Sequence, residues 1–179
     1  MTVFTCLIGG PAFSEFRWQK LVKNLRRRAD RQFSLAAHFI YFVESHQQLS
    51  RVELERLEAL LQAKSVAHLD DLSNPAVLPD VMGAGASGDR LAANFEHGVS
   101  GLLLVVPRLG TQSPWSSKST DIALRCGLDA VTRIERGTIF HLPADAEKTG
   151  LVTLMTPLVH DRMTQTVLTD PAVAAALFE

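Results

Sequence analysis

The stretch Pro107–Asp121 reads Pro-Arg-Leu-Gly-Thr-Gln-Ser-Pro-Trp-Ser-Ser-Lys-Ser-Thr-Asp. It leaves the apolar run Gly101–Val106, which reads as a strand, and leads into a helix expected over Ser117–Cys126. Gly127 is placed to close that helix as a left-handed C-terminal residue. A strand, a long polar turn and a helix in succession mark a chain that alternates the two kinds of element. The turn carries an indole, two cations, a carboxylate and seven hydroxyl or amide side chains, with no His or Cys. A surface loop does not need a Trp for solubility, so this one is composed to meet something.

Working outward, Thr2–Gly9 reads as a strand broken by Gly9-Gly10-Pro11. Ser14 is the expected N-cap of a helix to about Arg28, with Phe13 and Trp18 at the spacing of a hydrophobic staple. Trp18, Leu21, Val22 and Leu25 form its inner stripe. Leu35–Glu44 is a second strand. Ser50 and Glu53 make a capping box for a helix whose inner face is Leu54, Leu57 and Leu61. Lys64–Ser100, with Pro75, Pro79 and the run Gly83–Gly88, reads as a long loop with one short helix near Asp89–Glu96. Beyond the quoted stretch, Ala130–Glu135 and Thr138–Leu142 read as a hairpin across Arg136-Gly137. A long helix is expected from Gly150 to Leu168, then a turn or two of helix over Ala172–Phe178.

These elements predict an α+β fold, a two-layer α/β sandwich of ferredoxin-like type. Two half-repeats, about 1–63 and 101–168, share a β-α-β-β-α plan if Leu35–Glu44 is half of a hairpin. They make one domain over 1–168 joined by loop 64–100, with 169–179 leading away.

Composition bounds the function. Among 179 residues, 18 basic side chains face 19 acidic ones for a net charge of -1, which argues against a nucleic-acid footprint or a polybasic membrane anchor. Apolar runs such as Gly101–Pro107 are too short to span a bilayer, and Thr2–Cys6 has no basic leader, so a cytoplasmic location is expected. Cys6 and Cys126 read as free, buried thiols, and no His pair has metal-ligand spacing, so no metal site is expected.

Each motif has a plain reading beside its functional one. Gly83–Gly88 has the form G-x-G-x-x-G but lacks the strand before it and the acidic residue after it that a dinucleotide site needs. Arg26–Arg28 with Arg31 could hold phosphates, or simply complement a helix C-terminus. Phe39, Tyr41 and Phe42 could stack bases, but alternation puts Phe42 on the opposite face from the other two, as core packing requires. Ser116, Ser117 and Lys118 could form a Ser-Lys nucleophile. As plain structure, Ser116 or Ser117 caps the helix, and Asp121 lies in its first turn, where the dipole favours an anion. Lys118 in that turn opposes the dipole and asks for an anion nearby. With Arg108, Thr111 and the free amides of the helix start, the loop reads as a docking surface, with a small-anion site as the competing idea. The candidate docking residues are Arg108, Gly110, Thr111, Ser113, Pro114, Trp115, Ser116, Ser117, Lys118, Thr120 and Asp121.

Pro-Arg-x-Gly-Thr-x-Ser-Pro-Trp-Ser-Ser-Lys-x-Thr-Asp-Ile closely resembles a segment near the N-terminus of the large single-chain phosphoribosylformylglycinamidine synthase family. Gly10–Ser14 with Phe16-Arg17 and Lys20-Leu21 resembles that family's opening. Gly127-Leu128 with Val131 and Arg133–Gly137, and then His160–Thr164, resemble later segments in the same order. Leu109, Gln112 and Ser119 stand where proline, isoleucine and alanine are usual. The resemblance implies a fold like a fused pair of the small accessory subunits of multi-subunit versions. It implies an enzyme that uses ATP, glutamine and water to convert formylglycinamide ribonucleotide to the amidine, in de novo purine biosynthesis. ATP and magnesium are then cofactors of a synthetase domain, and a glutaminase domain releases ammonia. This chain looks like the N-terminal domain, with 169–179 starting the linker. The expected role is to brace synthetase against glutaminase and help enclose the ammonia route, without catalytic residues or cofactors of its own. Its expected partners are those two domains of the same chain, not nucleic acid or membrane. A stand-alone ferredoxin-like module for a small anion or nucleotide is the alternative.

Overall fold

A computed structural model describes residues 2–73 and 99–179. The element order is β1 (Val3–Pro11), α1 (Glu15–Ala29), β2 (Ala36–Ser45), α2 (Arg51–Leu61), β3 (Lys64–Val66) and a 3-10 segment at Leu69–Ser73. It continues with β4 (Val99–Pro107), α3 (Pro114–Arg125), β5 (Val131–Pro143), α4 (Leu151–Val159), β6 (Gln165–Leu168) and a 3-10 segment at Pro171–Phe178. The strands form one six-stranded antiparallel sheet in the order β3-β1-β2-β5-β4-β6. The expected α+β sandwich is therefore what forms.

Side-chain alternation along the strands sorts the core into two faces. One face carries Leu7, Tyr41, Val43 and Ile134 beneath α2 and α3, and Ala37, Leu103, Phe140 and Leu142 beneath α1 and α4. The opposite face carries Ile8, Ile40, Phe42, Leu104 and Ile139, covered by Leu72, Ala174 and Leu177 of the two 3-10 segments. The segment expected to start a linker thus buries Ala174 and Leu177 completely.

Local sequence explains the first half. Phe13 stacks on Trp18 at 5.8 Å between ring centroids, the staple that the spacing predicts. Ser14 is the N-cap residue of α1 by backbone geometry, though its side chain accepts no capping bond. The Ser50–Glu53 capping box of α2 is complete, with the Ser50 amide donating to Glu53 at 2.8 Å. β1 runs through Gly9 and Gly10 to Pro11 with a register shift rather than ending there. The short edge strand β3 is fastened by Glu58, which accepts from the Ser65 amide at 2.8 Å and the Ser65 hydroxyl at 2.7 Å.

Three expectations fail in the second half. The hairpin across Arg136-Gly137 is one continuous thirteen-residue strand, β5, pairing with β2 from Ala36↔His141 to Ser45↔Val131. Gly137 serves close approach rather than a turn: a Cβ there would lie 2.7 Å from the Val105 carbonyl oxygen. Gly137→Ala is expected to cost about 2 kcal/mol by overpacking against backbone, read as a lowered urea midpoint.

The helix expected to reach Leu168 ends at Val159. Pro157 withholds one helical N–H, and Asp161 then turns the chain by accepting from the Met163 amide and the Thr164 hydroxyl. Past this turn the chain pairs with β4 as β6, from Leu104↔Leu168 to Pro107↔Gln165. The β-α-β-β-α plan is accordingly not seen. The described elements run β-α-β-α-β on each side of the undescribed residues, and the strand order is unchanged when β1, β2 and β3 are exchanged for β4, β5 and β6.

Finally, α3 begins at Pro114, three residues earlier than expected. The run Gly83–Gly88 and the short helix expected at Asp89–Glu96 lie outside the described residues.

Candidate functional site

β4 covers β5 only from Pro143 to Thr138. The end of β5 from Val131 to Glu135 therefore lies past the last β4 pairing, on that side. The Arg108–Ser113 turn and α3 take the missing strand's place. Thr120 supplies what a strand would have supplied: its hydroxyl accepts from the Ile134 amide at 3.0 Å, in a buried position.

The turn is held from beneath by two side chains of β5. Glu135 is completely buried and accepts from the Ser113 hydroxyl at 2.7 Å and the Ser113 amide at 3.2 Å. Arg133, its side chain 16% exposed, donates to Glu135 through Nε at 3.1 Å and Nη2 at 2.7 Å. The same Nη2 donates to the Thr111 carbonyl at 2.7 Å. A buried carboxylate demands such partners, because leaving either charge unpaired costs several kcal/mol, of order 3–5.

Ser113 is the true N-cap of α3: its oxygen accepts from the Ser116 amide at 3.0 Å. Pro114 explains why the helix starts here, since its fixed φ and missing N–H suit the first helical position. The assignment of the cap to Ser116 or Ser117 is thus corrected. Ser116 is buried with an Oγ that has no partner among the described residues, and Ser117 is exposed. Lys118 and Asp121 lie beyond the first turn, so neither is placed against the helix start. Asp121 instead pairs with Arg125 at 3.0 Å on the solvent face.

Trp115 is half-buried. Its ring lies 5.8 Å from that of Tyr41, and the Arg136 guanidinium sits 4.7 Å from the centroids of both Trp115 and Phe39. The cation is held between two aromatic faces, which lowers the cost of keeping it half-buried. Burial raises the Tyr41 hydroxyl above its ordinary value, with neighbouring Arg136 opposing the shift. Gly110 adopts φ +70° within the turn, and the Thr111 hydroxyl donates to the Arg108 carbonyl at 2.6 Å. Arg108 and Lys118 are exposed and make no side-chain bond or ion pair among the described residues. The loop therefore has a fixed backbone and cations at its rim.

Sequence reasoning found the loop but missed its supports, Arg133, Glu135, Tyr41 and Arg136. The hairpin reading hid the three on β5, because it put Arg136 at an exposed turn, and strand alternation marks Tyr41 only as core packing. A Glu flanked by Ile134 on one side and Arg133 two residues away on its own strand face was the available signal.

Elsewhere, Arg26 donates twice to the Phe33 carbonyl, and Arg31 makes a two-pronged pair with Asp145 at 2.9 Å. Those guanidiniums serve the fold. Phe39 and Tyr41 share the helix face and Phe42 the other, as alternation requires. Cys6 is buried in β1, which pushes its thiol up to about 12, whereas Cys126, expected to be buried, is exposed. Among the described residues there is no cluster of His, Cys, Asp or Glu able to hold a metal ion, and no helix long and apolar enough to cross a membrane.

The sheet, its one-sided helix layer and the braced strand-to-helix loop define a mixed α+β domain. A family model described as formylglycinamide ribonucleotide amidotransferase N-terminal matches residues 38–178. The chain belongs to that family, and its role lies with an amidotransferase of purine biosynthesis.

Proposed function

We propose that this chain is the assembly domain of a glutamine-dependent enzyme that forms an amidine from formylglycinamide ribonucleotide, and that loop Arg108–Asp121 docks it onto the synthetase and glutaminase domains. The observation that supports this most directly is the contrast within the loop. Its backbone is pinned by a fully buried carboxylate, yet the charged groups of Arg108 and Lys118 at its rim make no hydrogen bond or ion pair in the described part of the domain. A domain that only needed to close its own sheet has no use for rim cations on so rigid a mount. Bracing the two catalytic domains and helping to enclose the ammonia route is the role this mount suits. ATP and magnesium belong to the synthetase part of the enzyme, and the purified 179-residue chain is expected to show no turnover with ATP and ammonia.

The test is made in the complete enzyme. Because the exposed side chains of Arg108 and Lys118 make no hydrogen bond or ion pair in the described domain, Arg108→Glu with Lys118→Glu should leave the domain's own stability nearly unchanged. Trp115→Ala removes an anchor of the loop and should cost about 2 kcal/mol of docking, roughly thirtyfold in affinity. Both variants are expected to lower glutamine-dependent activity more than ammonia-dependent activity. Equal loss in the two assays would place the loop at the synthetase site, and no loss in either would remove it from docking altogether.

A further inference from the structure

Arg133, which holds the loop together with Glu135, has a second attachment. Arg133 and Glu135 point to the sheet face covered by the 3-10 segments, and the ring of Phe178 lies 5.2 Å from the Arg133 guanidinium. Phe178 is itself seated edge-on against Phe4 at 5.7 Å, and Phe4 stacks on the fully buried Phe42 at 5.8 Å. A continuous path of contacts thus runs from Phe178 through Arg133 to the Thr111 carbonyl and to Glu135. From Glu135 it reaches Ser113 and, through the cap, the start of α3.

We infer that Arg133 is a positioning residue that couples the Pro171–Phe178 segment to the Arg108–Ser113 turn, so that a displacement at Phe178 is felt at the N-cap of α3. The guanidinium can do this because it is planar and bidentate toward Glu135, while its face is free for the ring. The two N–H groups of one nitrogen, Nη2, serve Thr111 and Glu135 at 2.7 Å each, so a rotation of the guanidinium moves both contacts together. The use of this coupling in assembly rests on the docking role proposed for the loop, but the coupling itself does not.

Backbone hydrogen exchange on the 179-residue chain tests it without any partner, so it succeeds or fails separately from docking. Phe178→Leu keeps apolar bulk against Phe4 and removes the ring face from Arg133. The amides of Ser113 and Ser116 should then exchange about fivefold faster, while those of Ile40 and Phe42 keep their rates. Phe178→Tyr restores a ring and should return the parent rates. Unchanged rates at Ser113 and Ser116 in the leucine variant overturn the coupling, as does a tyrosine variant that exchanges as fast as the leucine one. Arg133→Lys provides an independent reading should the leucine chain fail to fold. It keeps the charge but loses the planar fork, so acceleration confined to the same two amides supports the inference and no change there defeats it.

Discussion

Glu135→Ala is expected to cost the domain about 3 kcal/mol, lowering the melting temperature by roughly 6–12 °C. The substitution removes the acceptor of four donors at once: the Ser113 amide and hydroxyl, and Nε and Nη2 of Arg133. Arg133 is left largely buried with the Thr111 carbonyl and the Phe178 ring face as its remaining partners and no opposite charge. The Ser113 hydroxyl keeps its capping role but loses the bond that orients it. Adding Arg133→Met should return part of the loss, because the buried charge then goes too. A scanning calorimetry experiment decides the matter, and a drop below about 2 °C for Glu135→Ala would mean that the carboxylate contributes little to the mount.

Stability should fall with acid from pH 6.5 downward, above the range in which carboxylates ordinarily begin to titrate. His38 and His141 lie on the 3-10 face of the sheet, 3% and 0% exposed, with ring centroids 6.1 Å apart. His141 Nε2 is 3.0 Å from the Leu72 carbonyl. Burial, helped by the charge of a protonated His141, pushes His38 down from the ordinary 6.5 to about 4. Burial also takes His141 from 6.5 to about 4, against the pull of its bond to Leu72. Above pH 6.5 both rings are neutral whether the chain is folded or not, and the full stability is present. As the pH falls from 6.5 toward 4, the unfolded chain takes up protons that the folded one refuses, so stability falls. The slope is about 1.4 kcal/mol per pH unit for each ring, or about 2 kcal/mol per ring between pH 7 and pH 5. Urea denaturation at those two pH values should show a much lower midpoint at the acid one. His38→Gln should remove about half of the difference. Equal midpoints for the parent chain at both pH values would rule out this account.

Much of the fold was legible where local rules are strict. Capping boxes, staples and strand alternation act within a few residues, so α1, α2, β1 and β2 could be read from their own sequence. The errors share one cause. Gly137 and Pro157 are strong local punctuation, yet Gly137 answers to the Val105 carbonyl and β6 exists because the outer edge of β4 needed a partner. Neither constraint is visible within a window of ten residues. The candidate loop was legible by its odd composition. Its supports were not, because Glu135 and Arg133 look like ordinary strand charges until the end of β5 is known to project past β4. The cap falls at Ser113 because Pro114 suits the first helical position, a local signal, and because the buried carboxylate beneath holds the Ser113 hydroxyl.

The strand order has a consequence for life in a crowded solution. A six-stranded sheet that ended on long flat strands would offer its outer edges as templates for further pairing between molecules. This one ends on β3 and β6, only three and four residues long. On β3 the Ser65 amide is already taken by Glu58, and Lys64 puts a charge at the same margin. Among the described residues, the sheet therefore offers little edge for pairing between molecules, through the brevity and occupation of its margins.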